Sequence, residues 1–262
     1  MNYQSQNQYP YKSNTNDQLN FNQFGNSEDF YNNSKEEEIK TEINTTIRLG
    51  FIRKVYGILC IQLFITTIVS LISMASSSVQ KFMVNHQGIM LFMFLLIIIL
   101  PIIIVCCPGI MRQVPQNYII LSVFTFAESY LIGFICAFTK PEIVFMAAAM
   151  TFIMVVSLTL YAINTSNDIT MQGGLIFIFG AAMFLFCMFS FFTRNSLFSV
   201  IISLFCVVLF SLYIIYDTQL IMGNRQEMIQ LDDYILGAFM IYTDIIGIFL
   251  ELLKIFSYFY DS

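Results

Sequence analysis

The chain has 262 residues, 57% of them hydrophobic and only 11% charged, with a net charge of -5 at pH 7. A mean hydropathy of +0.73 lies far outside the range of water-soluble domains, so the chain belongs in a bilayer. The acidic excess sits in or beside the N-terminal segment, at Glu28, Asp29, Glu36, Glu37, Glu38 and Glu42, and offers no basic face to nucleic acid.

Residues 1–46 open with "MNYQSQNQYPYKSNTNDQLNFNQFGNSEDF", rich in Asn, Gln and Tyr and poor in aliphatics. Such a segment cannot bury a core and is expected to be a disordered tail, followed by a membrane domain over residues 47–262. It holds no apolar stretch ahead of a cleavage site, so the first span is expected to direct insertion itself.

Seven apolar runs follow, each near the roughly 20 residues that cross a hydrocarbon core of about 30 Å. They cover Val55 to Met74, Ile89 to Cys106, Tyr118 to Phe138, Ile143 to Ile163, Gly174 to Phe192, Leu197 to Met222 and Tyr234 to Phe259. Lipid offers no partner to backbone amides, and these runs lack the alternation of a barrel strand, so all seven are expected to be helices. The expected fold is an all-α membrane protein, a seven-transmembrane-helix bundle. Its longest loops, around Ser76 to Gly88 and Gly223 to Asp233, are too short for an extramembrane domain.

Charge at the loops sets the orientation. Lys40, Arg48, Arg53 and Lys54 crowd the start of the first span, and Arg112 and Arg225 fall on the same side, against Lys81, Lys140, Arg194 and Lys254 opposite. The positive-inside rule then favours a cytosolic N-terminus and a C-terminus across the membrane.

Few side chains carry chemistry. His86 is the only histidine and lies in a loop, which leaves no His-based metal site or catalytic triad. Cys60, Cys106, Cys107, Cys136, Cys187 and Cys206 lie in or at the ends of spans and read as packing residues. The glycines of "QGGLIFIFGAA" read as close-packing contacts rather than a phosphate loop. No enzyme and no cofactor are expected.

What remains is a handful of ionisable groups within the spans: Glu128, Asp217, Asp244, Glu251 and Lys254. Such groups are costly in lipid and tend to serve function. Glu251 and Lys254, three apart near a helix end, read as a pair that snorkels to the interface. Glu128 fits interhelical hydrogen bonding as well as conduction. The last hairpin brings Asp217 and Asp244 to similar depth, so they can approach each other if both face the bundle interior. If the sixth span continues to Arg225, Asp217 is eight residues from its end, about 12 Å, while Asp244 is about 15 Å past Tyr234. Two carboxylates side by side in a low dielectric resist ionising together, so the pair is expected to share a proton and titrate as one unit. When that proton leaves, the four oxygens suit a transient calcium ion.

The segments "FIRKVYGILCIQL", "RQVPQNYIILSVFTFAES", "NTSNDIT", "SLYIIYDTQLIMG" and "DDYILGAFMIYTDIIGIFLELL" resemble, in order, the signatures of the transmembrane Bax inhibitor motif family, in particular its lifeguard branch. The resemblance runs from about Arg48 to the C-terminus. It implies a fold with the last helix central and the other six around it. It also implies calcium leak from intracellular stores, in the endoplasmic reticulum or Golgi, gated by an aspartate pair that falls on Asp217 and Asp244, together with suppression of cell death. The partners it implies are the lipid bilayer, calcium ions and cell-death regulators or other membrane proteins. Calcium enters as the permeant ion, and Arg53, Arg112 and Arg225 stand near the cytosolic ends, where a cation pairing with Asp217 would hold a closed state. Two positions depart from the family: no Lys occurs in "NTSND", and Gly247 stands where an Asn is common.

Two readings from other classes compete with this one. A non-conducting protein that regulates cell death by binding other membrane proteins shares every feature above and differs only in flux. An intramembrane aspartyl protease also places aspartates in two successive spans, the first often after Tyr as in "IIYDTQ", but needs a Gly-x-Gly-Asp setting and a later Pro-Ala-Leu, whereas this chain has "IYTD" and no proline after Pro141.

Overall fold

The computed structural model describes residues 27–193, 196–223 and 229–261; the first 26 residues, Arg194 and Arg225 lie outside them. Eight α-helices follow one another: α1 Ser27–Ala75, α2 Ser77–Asn85, α3 Gln87–Cys106, α4 Gln116–Ala137, α5 Pro141–Asn164, α6 Gly173–Thr193, α7 Ser196–Met222 and α8 Tyr234–Asp261. Short 3-10 turns at Pro108–Arg112 and Thr170–Gln172 link α3 to α4 and α5 to α6. No strand occurs among the described residues.

Six of these helices contain stretches long and apolar enough to cross a membrane. The remaining apolar helix, α6, has 21 residues and is about 31 Å long at 1.5 Å per residue. That is the length of a membrane crossing. The short α2, in the segment read from sequence as a loop, starts where Ser76 accepts a hydrogen bond from the Val79 amide at 3.4 Å, a side-chain N-cap. Pro141, at the first turn of α5 with Glu142 behind it, starts that helix in the same local manner.

The chain divides into two units at residues 46 and 47. In the first, helix α1 already begins at Ser27, so residues 27–46 are helical where the composition suggests a disordered tail. The run "SKEEEIKTEI" supplies good helix formers without Gly or Pro. Lys40 lies 3.9 Å from Glu36, one turn away, and Thr41, Thr45 and Thr46 each donate to the carbonyl four residues back.

In the second unit α8 is the central helix. Two-thirds of its spanning window, 67%, is buried, against 44% or less in every other span. It packs on α7, α5 and α4, with Tyr242, Ile235 and Ile248 wholly enclosed. The outer faces carry exposed Phe, Leu and Ile, as at Phe94 on α3 and Phe177 on α6, which is the inverted arrangement a bilayer solvent requires.

Small residues set the helix spacing. A Cβ on Gly180 of α6 or Gly173 at its start would collide with Tyr213 and Tyr216 of α7, and one on Gly133 of α4 would meet Ser73 of α1. These are the close approaches expected of the glycines in that run for Gly173 and Gly180, whereas Gly174 has nothing within 4 Å of a would-be Cβ. Cys136 and Cys206 are buried, while Cys60, Cys106 and Cys107 are exposed on the outer surface.

Candidate functional site: a buried aspartate pair

The motif "YDTQL" forms the last turns of α7, and three consecutive residues there are almost fully enclosed: Asp217 is 4% exposed, while Thr218 and Gln219 show nothing to solvent. From α8, Asp244 enters the same region and is 6% exposed. The two carboxyl groups lie within hydrogen-bonding reach of each other. The expected facing pair is therefore brought together, although α7 ends at Met222 rather than near Arg225. The return chain explains this: the Ile229 amide donates to the Leu220 carbonyl at 3.2 Å, so the segment before α8 runs back beside the last turn of α7.

The environment of the pair is poor in donors. Asp244 Oδ2 has no hydrogen-bond partner among the described residues. Tyr213, one turn before Asp217, is within electrostatic reach of both carboxylates, but its hydroxyl donates to the Ile176 carbonyl of α6 at 3.3 Å. No described cluster of three or more His, Cys, Asp or Glu surrounds the pair. Two carboxylates offer fewer oxygens than the roughly six to eight that a resident calcium ion takes.

Gln219 serves a different neighbour. Its Oε1 accepts from the Ile169 amide and its Nε2 donates to the Asn167 carbonyl, each at 2.9 Å. Both lie in "NTSNDIT", so one helical turn of α7 holds the pair through Asp217 and pins the α5–α6 loop through Gln219.

The cationic side chains take other places than a pairing with Asp217. Arg112 makes a bidentate contact with Asp233, Nε to Oδ1 at 2.7 Å and Nη2 to Oδ2 at 2.9 Å. These bonds push its guanidinium above the ordinary value, so it stays charged throughout the working range of pH. Arg53 is exposed on α1, and Arg225 lies outside the described residues. Arg48, which the sequence reading counted only as part of a basic cluster, reaches the end of α7: Nη2 donates to the Leu220 carbonyl at 2.8 Å and Nη1 to the Ile229 carbonyl at 2.7 Å. Next to it Gly223 turns the chain at φ 73°, where a Cβ would strike the Arg48 side chain. Arg48 therefore closes the hairpin a few residues from Asp217.

The remaining candidates stand apart from the pair. Glu128 of α4 lies near Tyr242, and its Oε2 has no partner among the described residues. Around it runs a polar seam: Gln62 donates to Thr125 at 2.9 Å, and the Thr66 hydroxyl meets Ser129 at 2.9 Å and Tyr242 at 2.8 Å, tying α1 and α4 to α8. Glu251 pairs with Lys254 at 3.7 Å near the far end of α8.

Comparison with known proteins agrees with this arrangement. Residues 48–261 match the family model described as inhibitor of apoptosis-promoting Bax1. Human protein lifeguard 3 is 32% identical over 213 residues, covering 80% of this chain and 68% of that protein. Protein LIFEGUARD 4 of Arabidopsis thaliana is 35% identical over 218 residues, covering 80% and 85%. A match over more than three-quarters of the chain, on a helical bundle with α8 at its centre, makes this chain a member of the Bax inhibitor motif family of membrane proteins, in its lifeguard branch.

Proposed function

We propose that the chain is a pH-sensitive calcium leak channel of an intracellular membrane, the endoplasmic reticulum or Golgi, with the N-terminus cytosolic and a role in calcium homeostasis and in restraining cell death. The observation that carries this reading is the burial of Asp217 and Asp244 against each other in the bundle interior, with one Asp244 oxygen left without a donor. A buried ionisable pair is a costly way to join two helices, and a neutral pair would join them at lower cost. With one proton shared, the carboxyls hold α7 to α8. Loss of that proton leaves two anions side by side, which repel and open an oxygen-lined, cation-selective passage.

The test is calcium flux into vesicles holding the purified full-length chain, with pH stepped upward. Flux above that of protein-free vesicles, rising as the shared proton leaves, is the expected result. Vesicles no leakier than the protein-free control at every pH overturn the channel and favour the non-conducting regulator that acts through other membrane proteins.

A further inference from the structure

Away from the aspartate pair, a cavity of about 350 Å³ lies between α1, α4, α5 and α8. Its exposed lining lies on Thr67 and Leu71 of α1 and on Phe145, Ala148 and Phe152 of α5, the two rings 59% and 70% exposed, so it opens on the outer face of the bundle between α1 and α5. In a spanning helix those rings stand in hydrocarbon, so the medium at the mouth is lipid. Ala148, between them on the same helix face, leaves a gap on the α5 side of that mouth.

Its dimensions are specific. Leu63 and Met74 bound it on α1 and Val144 and Val155 on α5, eleven residues apart in each case. That run is about 16 Å along the helix axis, close to the roughly 15 Å of hydrocarbon in one leaflet. The slot is thus as long as one extended acyl chain within its own leaflet.

The wall chemistry agrees. Thr66, Thr67 and Thr151 all line the slot, yet each hydroxyl donates to a carbonyl of its own helix, at 2.9, 2.8 and 2.8 Å. Ser70, beside the Cys136 thiol, is the slot hydroxyl with no oxygen or nitrogen partner among the described residues. Ile245 and Phe249 of α8 form the back, directly after Asp244. An apolar slot with few polar groups, set between helices, has the usual form of a ligand pocket.

We infer that this slot holds one acyl chain of a membrane phospholipid, inserted from the side and lying parallel to the helices. The test uses full-length protein in phosphatidylcholine vesicles, with a small fraction of the lipid carrying a photoactivatable diazirine in its acyl chain. Adducts mapped by peptide mass spectrometry are expected to concentrate on residues 63–74 and 144–155, above the level on the outer wall of α3 around Ile98, Ile99 and Ile102, whose exposed side chains do not line the slot. Ala148→Trp fills the gap and is expected to abolish the excess while leaving the α3 adducts unchanged. Should that variant fail to insert, Ala148→Leu is read in the same way. Adducts spread evenly over slot and outer wall overturn the assignment, as does an excess that survives the filled slot. A photoactivatable sterol labelling the slot in place of the acyl probe, or chain-to-chain crosslinks through it, also overturns it by naming a different occupant.

Discussion

Asp217 and Gln219 sit two positions apart on α7 and serve different neighbours, one the opposing carboxyl and the other the backbone of the α5–α6 loop. The first role was legible in the sequence because a carboxylate inside an apolar run has no cheap explanation. The second was not, since a glutamine that bonds main-chain atoms has partners that leave no trace in residue identity. Arg48 was missed for the same reason. Its two acceptors are the carbonyls of Leu220 and Ile229, while the nearby Arg112, noted as a candidate gate cation, is engaged by Asp233. Arg48→Met keeps the length and removes the donors. It is expected to cost on the order of 1–3 kcal/mol, the usual result of breaking charge-assisted bonds to part-buried carbonyls. The checks are a lower unfolding midpoint in detergent and faster amide exchange in the last turn of α7. An unchanged midpoint would show that the hairpin closes without the clamp.

At the scale of elements, the spans were legible from length and hydropathy, and each of the seven runs lies on its own helix. The short α2 and the helical residues 27–46 were not: α2 is a nine-residue helix whose apolar face, with Met83 buried, is too short to stand out as a span, and residues 27–46 are polar, their helicity resting on local propensity. The contact between α7 and α8 explains the departure at Gly247. A Cβ there would lie 2.6–2.8 Å from ring atoms of Phe210, so the aromatic side chain of α7 occupies the room that an Asn at this position would need. Gly247→Asn is expected to destabilise by roughly 1–3 kcal/mol through overpacking. Phe210→Ala in the same chain should restore part of the loss, a non-additive pair that thermal unfolding of the two single variants and the double variant would reveal. Additive losses would mean that Phe210 is not what excludes the side chain.

For the whole molecule, one end of the bundle gathers Arg48 and Lys54 of α1, Arg112 after α3, the α5–α6 loop, the end of α7 and the start of α8; Lys54 lies over the Tyr234 ring at 5.3 Å. At the other end Lys140, before α5, lies over Tyr260 near the end of α8, at 4.4 Å. The helices therefore alternate in direction through seven crossings, and the two ends of the membrane domain lie on opposite sides. With the basic end in the cytosol, an N-terminal tag should be digested by protease added to sealed microsomes and a C-terminal tag protected; equal treatment of both would contradict seven crossings. The depth at which the two aspartates meet could not be read closely from sequence, because Ile229 is held beside Leu220 by Arg48 and not by the length of either span. The most direct measurement of the gate itself is the pH profile of calcium flux in vesicles for the unaltered chain, Asp217→Asn, Asp244→Asn and the double variant. Asparagine keeps shape and hydrogen bonding but cannot share a proton, so a gate formed by the pair predicts that either single change flattens the profile and that the double change adds little to the stronger single one. Profiles that keep their full pH dependence in both single variants, with the protein folded and inserted, would contradict the gate and leave the pair as a structural bond between α7 and α8.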